Sequence, residues 1–266
     1  MSSRHTVLAC LVTTSLLTLA ATPAHASTGY ADTDYVALGD SYSSGVGAPG
    51  QSGLCLRGSN GYPAQWAEQN DPKTYKNVAC SGATTDDVRR QQVPSLTAST
   101  DLVTITIGGN DVGFAPVVIT CTISSYDVCA ARVQEARDYT EEAMAPKLDA
   151  TYQAIRAKAP TAEVVVLSYP ILFDTTSAGC GAGGMSLAKR QVINAGNEEL
   201  DDLIRDRAQA AGFTYAEARD TFAGHGICAA APWINGLTVI PPTDSFHPNK
   251  SGYTYGYLPA LTTALN

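Results

Sequence analysis

Five short runs of apolar, β-branched and aromatic residues recur along the chain, at positions 35–38, 75–79, 102–107, 164–167 and 213–215. Runs of this length and composition predict strands. The third and fourth, Leu102-Val-Thr-Ile-Thr-Ile107 and Val164-Val-Val-Leu167, are continuous rather than alternating, which predicts strands covered on both faces. Between the runs lie helical patterns. One over 62–69 is short, one over 130–159 is long and rich in Ala, Glu, Lys and Arg, and one over 187–211 stops at Gly212, the residue type that best closes a helix. Alternating strands and helices predict an α/β fold of three αβα layers, with a central parallel sheet and helices on both faces.

In open sheets of this kind ligands bind beyond the carboxyl ends of the strands. The first three runs each lead into a polar or glycine-rich turn: Gly39-Asp-Ser41, Cys80-Ser-Gly-Ala-Thr84 and Gly108-Gly-Asn-Asp111. These turns should converge on one edge of the sheet, and chemistry is expected there. The glycine-rich patch at 178–184 reads as a surface loop.

The N-terminus changes the picture of where the protein works. Met1-Ser-Ser-Arg-His5 is a basic start, residues 7–20 form an apolar run too short to span a bilayer, and Ala24-His-Ala26 has the small-x-small pattern of a cleavage site. Residues 1–26 are therefore expected to be a secretory signal peptide, and 27–266 one domain of a secreted, extracellular protein. Removing Arg4 leaves 16 basic against 25 acidic residues. A chain of that charge is not expected to bind nucleic acid, which needs clustered Lys and Arg.

Cys10 lies in the expected signal segment, leaving Cys55, Cys80, Cys121, Cys129, Cys180 and Cys228. An even set in an exported protein predicts three disulfides and no free thiol. Sequence alone permits 15 pairings; neighbours in order (55 with 80, 121 with 129, 180 with 228) are our expectation. No metal site is expected, because there is no C-x-x-C pair and no histidine cluster.

The stretch Leu38-Gly-Asp-Ser-Tyr-Ser-Ser-Gly-Val-Gly-Ala-Pro-Gly50 carries two conflicting patterns. Its second half matches G-x-G-x-x-G, a dinucleotide cradle. That cradle must open a helix, whereas Pro49, Gly50 and a loop follow here, and Asp71 precedes the second strand instead of closing it. Its first half reads as a nucleophile turn presenting Ser41. Of four histidines, His5 and His25 leave with the signal segment, so His225 and His247 are the available bases. His225, with no acid nearby in sequence, reads as a loop histidine. His247 follows Asp244 by three residues, a spacing that lets the acid turn back onto its Nδ1 nitrogen.

The segments Gly39-Asp-Ser-Tyr-Ser-Ser-Gly45, Cys80-Ser-Gly82-Ala-Thr, Gly108-Gly-Asn110-Asp and Asp244-Ser-Phe-His247 resemble, in order, the four signature blocks of the GDSL or SGNH hydrolase family. The resemblance spans essentially the whole mature chain. It is nearest to secreted lipases, esterases and phospholipases A1 of actinomycetes. It implies a flavodoxin-like SGNH fold with Ser41 as nucleophile, His247 as base, and Gly82 and Asn110 as oxyanion donors beside the Ser41 N–H. Family members use either a Ser-His-Asp triad or a dyad in which a backbone carbonyl replaces the acid. Asp244 is spaced for the triad and is favoured, while the Ser245 carbonyl could orient His247 instead. Asp40 and Asp111 are expected to hold their own turns.

The expected reaction is hydrolysis of acyl esters of lipids, such as triacylglycerols, through a Ser41 acyl-enzyme. No cofactor is expected, and activity should rise as His247 loses its proton. Phospholipase A1 is the alternative within this chemistry. A secreted lipid- or glycan-binding module using the same cleft is the alternative outside it. Tyr42, Phe114, Val117, Ile119, Trp233 and Phe246 are candidate walls of an acyl groove. A monomer making transient contact with lipid surfaces is expected.

Overall fold

The computed structural model describes residues 29–180 and 185–266. The expected signal segment and residues 181–184 of the glycine-rich patch lie outside the described residues. All five predicted strands are present: β1 (Asp34–Gly39), β2 (Thr74–Asn77), β3 (Leu102–Thr106), β4 (Glu163–Leu167) and β5 (Thr214–Ala216). They form one parallel sheet in the order β2-β1-β3-β4-β5. The two runs read as continuous apolar strands are buried along nearly their whole length, as central parallel strands must be. β2, Thr-Tyr-Lys-Asn, is polar and largely exposed, in keeping with its place at the edge.

Helices flank both sides of the sheet. α2 (Tyr62–Asn70) packs with α7 (Leu258–Ala264), and α5 (Ala145–Lys158) packs with the long α6 (Leu187–Ala210). Ser186 caps the start of α6, and Gly212, at φ 69°, lies just past its end. The long helix expected over 130–159 is two helices. α4 (Tyr126–Tyr139) starts earlier, capped by Ser125, and joins α5 through a π-helical turn, Thr140–Met144. Pro146 explains the change: without an N–H it cannot continue the ladder, and it sits in the first turn of α5. α3 (Phe114–Ile123) and α1 (Ser41–Ser44) complete the helices that shape the site.

Cysteines pair as neighbours in order, Cys55 with Cys80, Cys121 with Cys129 and Cys180 with Cys228. The second bond ties α3 to α4. The first ties a short antiparallel ladder, Gln51–Ser52 with Arg57–Gly58, to the turn after β2.

Candidate active site

The site grows from the carboxyl ends of β1 and β3, which lie side by side with Gly39 opposite Thr106. Gly39 has φ 120°, and a Cβ there would fall 2.4 Å from the Thr106 carbonyl oxygen, so the strands can only approach this closely at a glycine. The next residue, Asp40, caps α1 by accepting from Tyr42 N–H at 3.0 Å. Ser41 is thereby placed at the first position of the helix, with its backbone N–H taken by no acceptor among the described residues. Ser43 locks the turn to the sheet, its hydroxyl lying 2.8 Å from both Tyr62 OH and Thr106 Oγ1.

The glycine-rich half of the puzzling stretch seats the histidine. Gly45 ends α1 in the left-handed region at φ 97°. At Gly47, φ 93°, an added Cβ would meet the Pro248 carbonyl oxygen at 2.6 Å and His247 Cβ at 2.8 Å. The Gly47 carbonyl accepts from the Asn235 side chain at 2.9 Å, and Asn235 pairs through its backbone with Phe246 and His247. The loop therefore positions a base, and the ladder following it is no helix N-terminus for a pyrophosphate.

His247 Nε2 lies 2.7 Å from Ser41 Oγ, and its Nδ1 lies 2.9 Å from the carbonyl oxygen of Ser245. A carbonyl can only accept, so Nδ1 carries the hydrogen and Nε2 presents its lone pair to the serine. This corrects the favoured role of Asp244. Its carboxylate does not bond His247; it accepts from the Gln51 side chain, and its charge acts on the imidazole from a distance. The physical reason is the backbone: Phe246 takes a left-handed φ of 63°, and the chain folds back so that the Ser245 carbonyl reaches Nδ1. Burial lowers the His247 pKa to about 4, opposed by the Ser245 carbonyl and the Asp244 charge, which favour the protonated ring.

The turn after β2 brings Gly82 to the same edge with φ 81° and open space where a side chain would stand. Ser81 N–H bonds Cys55 O and Ala83 N–H bonds Cys80 O, while the Gly82 N–H between them has no acceptor among the described residues. Asn110, after β3, donates one amide hydrogen to Ala83 O at 3.0 Å, tying the two turns together and leaving the other free. Asp111 does not hold its own turn as expected. It accepts from Thr85 N–H at 2.9 Å and from the Thr85 hydroxyl at 2.7 Å, bracing the neighbouring loop.

A residue that local pattern could not reveal joins these turns. Tyr169, just past β4, accepts from Gly109 N–H at 3.1 Å and donates through the same hydroxyl to the carboxylate of Asp40. Asp40 also accepts from Thr106 Oγ1 at 2.8 Å. Burial raises its pKa to about 6 against the pull of the Tyr169, Thr106 and Tyr42 donors.

Ser41 and Asn110 face a common cleft whose apolar walls include Tyr42, Phe114, Tyr169 and Leu172. Of the expected groove residues, Tyr42 and Phe114 line this cleft and Val117 lines the pocket beside it. Ile119 is half exposed, and Phe246 is buried, its carbonyl accepting from Tyr42 OH. Trp233 stacks flat on His225 at 3.7 Å, which leaves His225 a loop histidine with no part in the cleft. Among the described residues no cluster of His, Cys, Asp and Glu is placed to hold a metal ion.

The arrangement supplies a hydroxyl against a neutral imidazole, with three unengaged N–H donors on the adjoining turns, which suits attack on a carbonyl and stabilisation of the resulting oxyanion. Comparison with known proteins points the same way. Residues 37–255 match the model of the GDSL-like Lipase/Acylhydrolase family. A protein named "Lipase" from Streptomyces rimosus is 42% identical over 262 residues, 97% of each chain. The crystal structure of phospholipase A1 from Streptomyces albidoflavus superposes with a TM-score of 0.85 at 43% identity, covering 88% of this chain and 100% of that one. The crystal structure of an extracellular lipase from Streptomyces rimosus gives a TM-score of 0.84 at 43% identity, covering 87% and 99%.

Proposed function

The chain belongs to the GDSL-like lipase/acylhydrolase family, and from that premise we propose that it is a serine ester hydrolase, a lipase or carboxylesterase that cleaves acyl esters of lipids such as triacylglycerols. The observation that carries the reading is the line Ser41 Oγ, His247 Nε2, His247 Nδ1, Ser245 O, each link at hydrogen-bonding distance. In this reading Ser41 Oγ attacks the acyl carbonyl while His247 Nε2 takes its proton. The carbonyl oxygen gathers the negative charge and is met by the Ser41 and Gly82 N–H groups and the Asn110 amide. His247 returns the proton to the departing alcohol, leaving the acyl group on Ser41. Water then attacks, giving a proton to His247, and the carboxylic acid leaves as Ser41 regains its proton. Serine, histidine and water handle every proton and electron pair of this cycle.

Phospholipase A1 action uses the same steps on a glycerophospholipid, and the likeness to the Streptomyces albidoflavus enzyme supports it as a second activity of the site. Residues 1–26 serve in this proposal as a secretory signal, consistent with a relative described as extracellular. The remainder acts as one monomeric domain with passing contact to lipid surfaces.

Hydrolysis of a matched panel (short-chain ester, long-chain triacylglycerol, phosphatidylcholine, acetylated sugar) by the mature protein and by Ser41→Ala tests the reading. Cleavage of lipid by the native protein and its loss in the variant are expected, and the relative rates rank lipase against phospholipase. A native protein that binds lipid but cleaves nothing in the panel would instead be a binding module.

A further inference from the structure

We propose that Leu54, Leu237, Val239 and Ile240 form one apolar rim that docks on the surface of a lipid aggregate and holds the Ser41 site against it. The proposal names the surface on which the ester hydrolase works, and it rests on that reading for the substrate met there. Leu54 is fully exposed, and Leu237, Val239 and Ile240 are 65%, 80% and 87% exposed. Single exposed apolar side chains are ordinary, whereas three within four residues mark an interaction surface.

Both segments are fastened to the site. Thr238, between Leu237 and Val239, donates its N–H to the Ser245 hydroxyl at 2.8 Å, and that hydroxyl donates to the Thr238 carbonyl at 3.2 Å. Ser245 is the residue whose carbonyl holds His247. Leu54 precedes Cys55, which is bonded to Cys80 and accepts from Ser81 N–H, next to Gly82. The Gln51 side chain, donating to Asp244, joins the two segments. The rim therefore hangs on the turns that carry the base and an oxyanion donor. A protein seated there would compete with substrate for the approach to Ser41, whereas a lipid surface is itself the source of substrate. Charge favours an uncharged or zwitterionic surface: no Lys, Arg, Asp or Glu occurs over residues 221–243, in a chain of net charge −8. Desolvating this backbone also costs little, because Thr238 N–H is already bonded and Pro241 and Pro242 have no N–H to take out of water.

The test measures co-sedimentation of Ser41→Ala protein with phosphatidylcholine vesicles, so that hydrolysis does not disturb binding. It is repeated with Leu54→Ser, and with Val239→Ser and Ile240→Ser together, each added to Ser41→Ala. Withdrawing a large aliphatic side chain from the lipid removes about a tenfold factor, so the partition coefficient should fall about tenfold in the first variant and about 100-fold in the second. Added salt should not weaken binding, since no charge pairing drives it. With Ser41 restored, the same substitutions should lower the rate on vesicle lipid in step and leave hydrolysis of a dissolved butyrate ester within about twofold. Unchanged partition in both variants overturns the proposal. So does a Ser41→Ala protein that ignores vesicles and instead self-associates through these residues, which would give the rim to a second copy of the chain. Vesicle binding that the substitutions weaken supports the rim even if the Ser41 protein cleaves no ester, a result that would count against the ester-hydrolase reading alone.

Discussion

The carbonyl oxygen of Ser245 lies 2.9 Å from Nδ1 of His247, in the place a carboxylate would take in a Ser-His-Asp triad. A backbone carbonyl cannot be protonated at working pH or withdrawn by a rotamer change. It fixes the tautomer of the base through the path of the main chain. Asp244, bonded to Gln51, adds only the more distant effect of its charge.

Asp244→Asn should therefore lower kcat by less than about tenfold, whereas loss of a true triad carboxylate lowers it roughly 10⁴-fold. Steady-state kinetics on a soluble ester decide this, and a drop of the larger size would restore Asp244 to the triad.

The pH profile follows from the burial of His247. Its folded pKa is lowered to about 4, so the ring stays neutral and able to accept a proton until the medium becomes strongly acidic. kcat/KM should be flat through neutrality and fall about tenfold per pH unit below an apparent pKa near 4. A limb centred near the ordinary histidine value would show that the ring is more solvated in solution.

Tyr169→Phe removes the donor to Asp40 and the acceptor of the Gly109 N–H together. Buried groups left unpaired cost about 1–3 kcal/mol each, and a loss of stability in that range should appear in urea unfolding. Because Gly109 precedes Asn110, kcat should fall more than KM changes.

Gly47→Ala should harm activity more than folding. The added methyl presses on Pro248 O and His247 Cβ, and displacing the base by a fraction of an ångström disrupts its alignment with Ser41. We expect at least a tenfold loss of kcat with a far-ultraviolet circular dichroism spectrum like that of the native protein. Full activity would mean that the histidine loop yields without cost.

The sheet and the turns that make up the candidate site were legible in the sequence because both depend on local signals. β3 and β4 announce themselves as unbroken apolar runs, and the turns after β1, β2 and β3 each carry their own polar or glycine signature. What stayed hidden depends on chain direction or on distance. Asp244 and Ser245 are both within reach of His247 by spacing, and only the left-handed turn at Phe246 decides between them. Tyr169 lies 60 residues from Gly109 and 129 from Asp40, with no motif to link them. α3 does not announce itself as a helix, because Phe114 to Ile123 is rich in β-branched residues and contains Pro116, a composition that obscures helical periodicity.

Cys80 opens the turn that ends at Gly82, and its bond to Cys55 holds that turn against the short ladder. A freshly made chain in thiol-reducing surroundings would lack this brace two residues from Gly82, the proposed oxyanion donor. An enzyme able to attack lipid endangers the bilayers of the cell that makes it. Linking the shape of the proposed oxyanion turn to a disulfide ties full potency to oxidising surroundings, the setting that the proposed secretory route would supply.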